Sequence, residues 1–254
     1  MALQIGRAFQ DGIGELFSRR GASFAGAFVL YGLLSSVVWG SLSQAFAELV
    51  LGQLPSDAQV SQAAMSGGAP LALDIPLGAA AVGAIALYVV SEALSIVAIR
   101  AFASDSRDVI PPNAGRQLVR TVAVAIAATI LAGIATAIGF VLLILPGIVL
   151  LVLFFFVRQE IALNDSGVIE SISNSVSIVR ENALATAAIF LLLGVLGLVT
   201  GVVGVLPVSL PPVLSAAITT AISGVIAAFS IAVTTVAYLQ VAEPGDGTST
   251  LNRR

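Results

Sequence analysis

The sequence predicts an all-α, polytopic membrane helical bundle: six transmembrane helices arranged as three hairpins, plus two cytoplasmic-side amphipathic helices. Three observations lead there. Of 254 residues, 58% are hydrophobic and 10% charged, with a mean hydropathy of +1.05, whereas a soluble domain carries about a quarter charged residues. No residue from Thr121 to Val157 is charged. As one helix that stretch would be about 55 Å long, against a hydrocarbon core of about 30 Å. It also holds Pro146-Gly147; proline donates no backbone hydrogen bond and glycine opens turn conformations closed to other residues. Two helices folded back on each other at Pro146 and Gly147 are expected.

Composition narrows the chemistry. The chain has no Cys and no His, which removes disulfides, thiolates, His-containing metal sites and imidazole acid–base catalysis together. All eleven basic residues are Arg, against fourteen acids. An acidic, lysine-free balance is halophile-like, and the net charge of −3 gives no reason to expect a nucleic-acid partner. The period-2 alternation that an outer-membrane barrel needs is missing.

Taken in order, residues 1–23 form an amphipathic helix, with Ile5, Phe9, Ile13, Leu16 and Phe17 at helical spacing and Arg7, Asp11, Glu15, Arg19 and Arg20 between them. Arg19-Arg20 before an apolar run and Ala45-Phe46-Ala47 are also features of a cleaved signal. The apolar run and the segment before it are long for one, so an uncleaved first span over 24–51 is expected. A polar loop over 52–74 leads to a second span over 75–102, which contains Glu92 and ends at Arg100. A charged connector, 103–118, precedes the third span, 119–145. The fourth, 148–163, is short and carries Arg158 and Glu160 near its end. A second amphipathic helix covers 166–181, with Ile169, Ile172, Val176 and Val179 as its apolar stripe and Glu170, Ser173, Asn174, Ser177 and Arg180 opposite. The fifth span is 183–206, the sixth 213–241, and 242–254 is a polar tail. Residues 1–241 read as a single six-helix membrane domain.

Topology follows from the arginines. With six spans the odd-numbered loops (52–74, 146–147, 207–212) hold no Arg, and every Arg falls in the N-terminal segment, the even loops or their flanks, or the tail. The positive-inside rule then puts both termini in the cytoplasm, in a multi-pass protein of the cell membrane. Five spans would place Arg158 and Arg180 opposite Arg7, Arg19 and Arg20.

Lipid is as apolar as Leu, so membrane helices associate where small residues let backbones approach. Gly194, Gly197, Gly201 and Gly204 form a helix-packing seam on the fifth span; Ala216, Thr220, Ser223, Ala227, Ser230, Thr234 and Ala237 form one on the sixth. Either serves intramolecular packing or a homodimer. Ionisable groups inside a membrane are functional hypotheses by default. By helical rise, Glu92 lies roughly 12 Å and Arg158 roughly 9 Å from the cytoplasmic edge. They are expected to pair in the interior, with Glu160 and Arg100 nearer the surface. The pair is a polar site opening to the cytoplasm, a structural ion pair, or an Arg158 snorkelling to the interface.

No catalytic set, cofactor motif or metal site is legible: there is no HExxH, Walker loop or dinucleotide turn. Every Asp lies in a loop, a tail or an amphipathic segment, so aspartyl chemistry within the membrane is not expected, nor is enzyme activity.

At Leu145-Pro146-Gly147-Ile148, then Arg158, Glu160 and 175–182 (Ser-Val-Ser-Ile-Val-Arg-Glu-Asn), the chain resembles the six-helix membrane proteins related to the membrane domain of glycerophosphodiester phosphodiesterases. That resemblance covers 120–190 and implies a helical bundle with no established activity. The phosphodiesterase catalytic signature needs His, which this chain lacks. The expectation is a non-enzymatic membrane component acting through membrane lipids, other membrane proteins or a second copy of itself. The alternative is a small transporter or permease subunit whose cytoplasm-facing polar cavity holds Glu92 and Arg158.

Overall fold

The computed structural model describes residues 3–51, 70–106, 108–205 and 210–242. These form nine α-helices and no strand: α1 (Ile5–Leu16), α2 (Arg19–Leu51), α3 (Leu77–Phe102), α4 (Leu118–Leu142), α5 (Ile144–Leu153), α6 (Val157–Asn164), α7 (Val168–Glu181), α8 (Ala183–Val205) and α9 (Pro212–Ala242). Five segments are long and apolar enough to cross a membrane: Arg19–Val50, Leu77–Phe102, Leu118–Leu142, Ile144–Asn164 and Pro212–Ala242. A sixth is reached if α7 and α8, bent by 105° at their junction, count together. The expected loop over 52–74, the turn before α9 and the polar tail lie largely outside the described residues.

The fold-back in the uncharged stretch is present, but Pro146-Gly147 is not its turn. The break is at Leu143, whose backbone is extended (φ −162°, ψ 150°), and Pro146 and Gly147 sit in the first turn of α5. Proline is tolerated there because the first N–H groups of a helix have no intrahelical acceptor. Gly147 instead serves close approach. A Cβ on Gly147 would run into the Phe140 ring, and one on Gly139 would lie 3.1 Å from the Gly147 backbone and 2.9 Å from Leu150 Cδ1. The fourth span is likewise two helices, interrupted at Phe154–Phe156, where i→i+3 bonds replace the α-helical ladder (Phe155 N–H to Val152 O, 3.2 Å; Val157 N–H to Phe154 O, 3.3 Å).

The described residues fall into two compact units. The first comprises Met1–Ala25, Glu92–Leu196 and Ala227–Arg254 and holds two apolar clusters. In one, Leu3 and Ala8 pack with Phe156, Val179, Ile189, Val233 and Tyr238. In the other, Ile96 and Ile99 meet Val122, Ala125, Ala128, Val157 and Ile161. The first cluster refines the expectation for α1, whose Ala8 and Gly12 face is buried; Gly12 lies against Val233, where a Cβ would be 3.2 Å from that residue's Cα. Ile13 and Phe17 remain exposed.

Helix α7 keeps most of its expected face: Val179 is buried and Ile172 packs against the second cluster, while Ile169 is 71% exposed. Ser171 and Ser175 complete the buried side, since a serine is small enough to let helices meet and bonds locally to backbone.

The second unit, Gly26–Ser91 with Gly197–Ile226, is held by small residues. A Cβ on Gly224 would lie 2.6 Å from Val29 N, and one on Gly32 would lie 2.7 Å from Thr220 Cγ2, so α2 and α9 approach closely. Ser41 Oγ accepts the Leu73 N–H at 2.8 Å.

Candidate functional site

The first unit holds two groups of paired charges. One is the pair singled out from the sequence. Arg158, in the first turn of α6, donates through Nη2 to Glu92 Oε1 on α3 at 2.8 Å. The two are unequally sheltered: the Glu92 side chain is 2% exposed and that of Arg158 40%. Glu92 Oε2 has no hydrogen-bond partner among the described residues.

Arg158 reaches an open cavity of about 610 Å³ whose wall is built from α4, the α5–α6 segment, α9 and Ile99 of α3. Its charged group is Arg158; Gln159, Thr129, Thr136, Ser230 and Thr234 also line it, and Phe140 and Leu151 lie at the end close to the Leu143 turn. Gln159 is 4% exposed, and its Oε1 also lacks a partner among the described residues. Glu92 does not line the cavity.

A second constellation lies around Arg100 and Glu160, which are buried at 8% and 4% exposure. Arg100 uses its whole fork: Nε donates to Ala162 O (2.7 Å), Nη1 to Ala114 O (3.0 Å) and Arg116 O (2.6 Å), and Nη2 to Thr121 Oγ1 (3.2 Å) and Asp165 Oδ1 (2.9 Å). Arg116 pairs with Asp165 Oδ2 at 2.7 Å. Asp165 holds a left-handed backbone (φ 53°), which Asp tolerates better than most residues; this turn carries its carboxylate to both guanidinium groups. Glu160 accepts from Asn164 Nδ2, which also donates to Tyr238 Oη at 2.8 Å. Arg20 donates to the carbonyls of Ala101, Ser104, Ser106 and Asp108. It thereby caps the end of α3, where orphan carbonyls favour a cation.

Pro146 and Gly147 take no part in this cluster; they shape the α4–α5 crossing. At the expected seam on α8, a Cβ built on Gly194 or Gly201 would meet no described atom within 4 Å, and the surroundings of Gly204 lie outside the described residues. The sequence reading missed the Arg100–Asp165–Arg116 cluster and the cavity. The signal for the first was the run Asn164-Asp165-Ser166 after an apolar helix; for the cavity no linear signal exists, because four elements build it.

No group of three or more His, Cys, Asp or Glu is placed to hold a metal ion among the described residues. The chain matches the family described as domain of unknown function (DUF7847) over residues 3–241, and it belongs to that family. The match adds no link to glycerophosphodiester phosphodiesterases. No curated protein and no solved structure matches the chain.

Proposed function

We propose that this member of a family of unknown function is a non-enzymatic, six-span component of the cell membrane that acts through lipids, with both termini cytoplasmic. The observation that carries the lipid reading is the 610 Å³ cavity, apolar over most of its wall and facing a single partly exposed cation, Arg158. A recess of that composition suits an amphiphile better than a water-soluble solute. The resemblance of 120–190 to the phosphodiesterase-associated membrane domain points the same way.

Geometry in the first unit supports six spans. Leu3 N–H donates to Asn182 Oδ1 and Gln4 N–H to Gln240 Oε1, while Asn164 bonds Tyr238. The N-terminus, the ends of α6 and α7 and the end of α9 therefore share one membrane side. A chain that leaves residue 182 on that side and returns to it along α9 must cross once more, and α8 is the segment available. Helix α7 then lies along the interface, and the arginine-bearing ends are cytoplasmic.

The second reading is a transporter subunit, favoured by the 40% exposure of Arg158 toward the cavity. Cysteine accessibility separates the two cleanly, because the chain has no native Cys. With a membrane-impermeant charged thiol reagent, the lipid reading expects Asp57→Cys to label only from outside and Ser106→Cys only from inside, with Glu92→Cys unreactive from either face. Labelling of Glu92→Cys from the cytoplasm would replace it by the transporter reading. Labelling of positions 57 and 106 from the same side would remove the six-span topology.

A further inference from the structure

We propose that the cavity beside Arg158 binds an anionic amphiphile, with its headgroup on the Arg158 guanidinium and an acyl chain lying along α4 toward Phe140 and Leu151. The proposal rests on the reading that the protein acts through lipids and names the class of lipid.

Charge sets the headgroup. A guanidinium has five N–H donors, and one of the Arg158 nitrogens, Nη2, is bonded to Glu92. Because Glu92 is buried and Arg158 is partly exposed, the ion pair turns its positive end to the cavity. The planar fork suits a carboxylate or phosphate. Gln159, next to Arg158 in α6, also lines the cavity.

Length sets how the chain lies. Along α4 the wall runs from Ala125 to Phe140, about 22 Å by helical rise. The Arg158 end is level with Ala125 and Ala128, which pack with Val157 and Ile161, and the other end is at the Leu143 turn. The occupant therefore has a fixed direction, head toward α6 and tail toward the turn.

Gly133 gives a test that spares the cluster. It lines the cavity, and a Cβ there would meet nothing within 4 Å, so Gly133→Phe starts its side chain in open space. The full chain is placed in phosphatidylcholine nanodiscs and offered photoreactive sixteen-carbon probes ending in a carboxylate, a phosphate, a hydroxyl or a trimethylammonium group. The expected result is saturable labelling of residues 129–140 by one or both anions, at least tenfold tighter than by the alcohol or the cation. A carboxylate preference points to a fatty acid and a phosphate preference to an anionic phospholipid. Arg158→Gln should reduce the anions to the level of the alcohol. Gly133→Phe, with its thermal midpoint retained, should abolish labelling of 129–140 by all four probes. The proposal fails if the folded Gly133→Phe protein labels as before, or if anion and alcohol label alike. Saturable labelling confined to another surface overturns the cavity assignment and leaves the lipid reading standing. No saturable labelling by any probe overturns both.

Discussion

Arg158 Nη2 and Glu92 Oε1 are 2.8 Å apart, yet the carboxylate is almost wholly enclosed while the guanidinium is partly open to a cavity. The pair should therefore respond unequally to loss of either partner. Arg158→Gln strands a buried carboxylate whose second oxygen already has no partner, and stranding a buried charge costs about 3–5 kcal/mol. Glu92→Gln leaves a cation that can turn into the cavity, and the loss is nearer that of one charged hydrogen bond, about 1.5–3 kcal/mol. Thermal unfolding in one detergent should rank wild type, Glu92→Gln, then Arg158→Gln. The reverse order would show that the pair is not sheltered from the Glu92 side.

Ser175 gives a second prediction. Its hydroxyl donates to Leu153 O at 2.8 Å and accepts the Phe156 N–H at 3.2 Å. These backbone groups flank the interruption between α5 and α6. Within a membrane, backbone groups released by a helix break must be satisfied by protein, and a completely buried serine supplies both bonds. Ser175→Ala should lower stability by about 1–3 kcal/mol, and Ser175→Val by more, because the site is closely packed. Ser177→Ala, on the exposed face of α7, is the control and should be neutral. Equal midpoints for Ser175→Ala and Ser177→Ala would rule out the bridge.

Arg100 gives a third. Its five contacts reach three backbone carbonyls, a hydroxyl and a carboxylate on separate segments, a geometry that needs a planar fork rather than a point charge. Arg100→Lys should consequently rescue little: both Arg100→Lys and Arg100→Ala should lower the unfolding midpoint markedly and raise protease sensitivity in the 103–117 connector. A lysine variant as stable as wild type would mean that charge alone matters.

Much of the fold was legible because the hydrocarbon core is a severe solvent. Long uncharged runs had to be helices, and α3, α4 and α9 begin and end within three residues of the expected spans. Precision was lost where a residue type has more than one use. Pro146 and Gly147 signalled a turn, yet proline is equally at home in a first helical turn and Gly147 is required by the Phe140 ring beside it. Ile169 looked buried by periodicity yet is exposed, and the serines at 171 and 175 complete the inner face, since a serine lets helices approach closely.

By itself the sequence determined an apolar, all-helical chain with its arginines held out of most membrane runs, because no side-chain arrangement could reconcile that composition with water. It also singled out Glu92 and Arg158 as partners, since ionisable groups within apolar helices are costly unless paired. Only the tertiary structure decided that Arg158 opens to a cavity while Glu92 does not. It also brought Arg100, Arg116 and Asp165 together and let Ser175 mend a broken helix. Those relations join residues tens of positions apart through packing and backbone geometry, which a linear pattern of polarity does not encode.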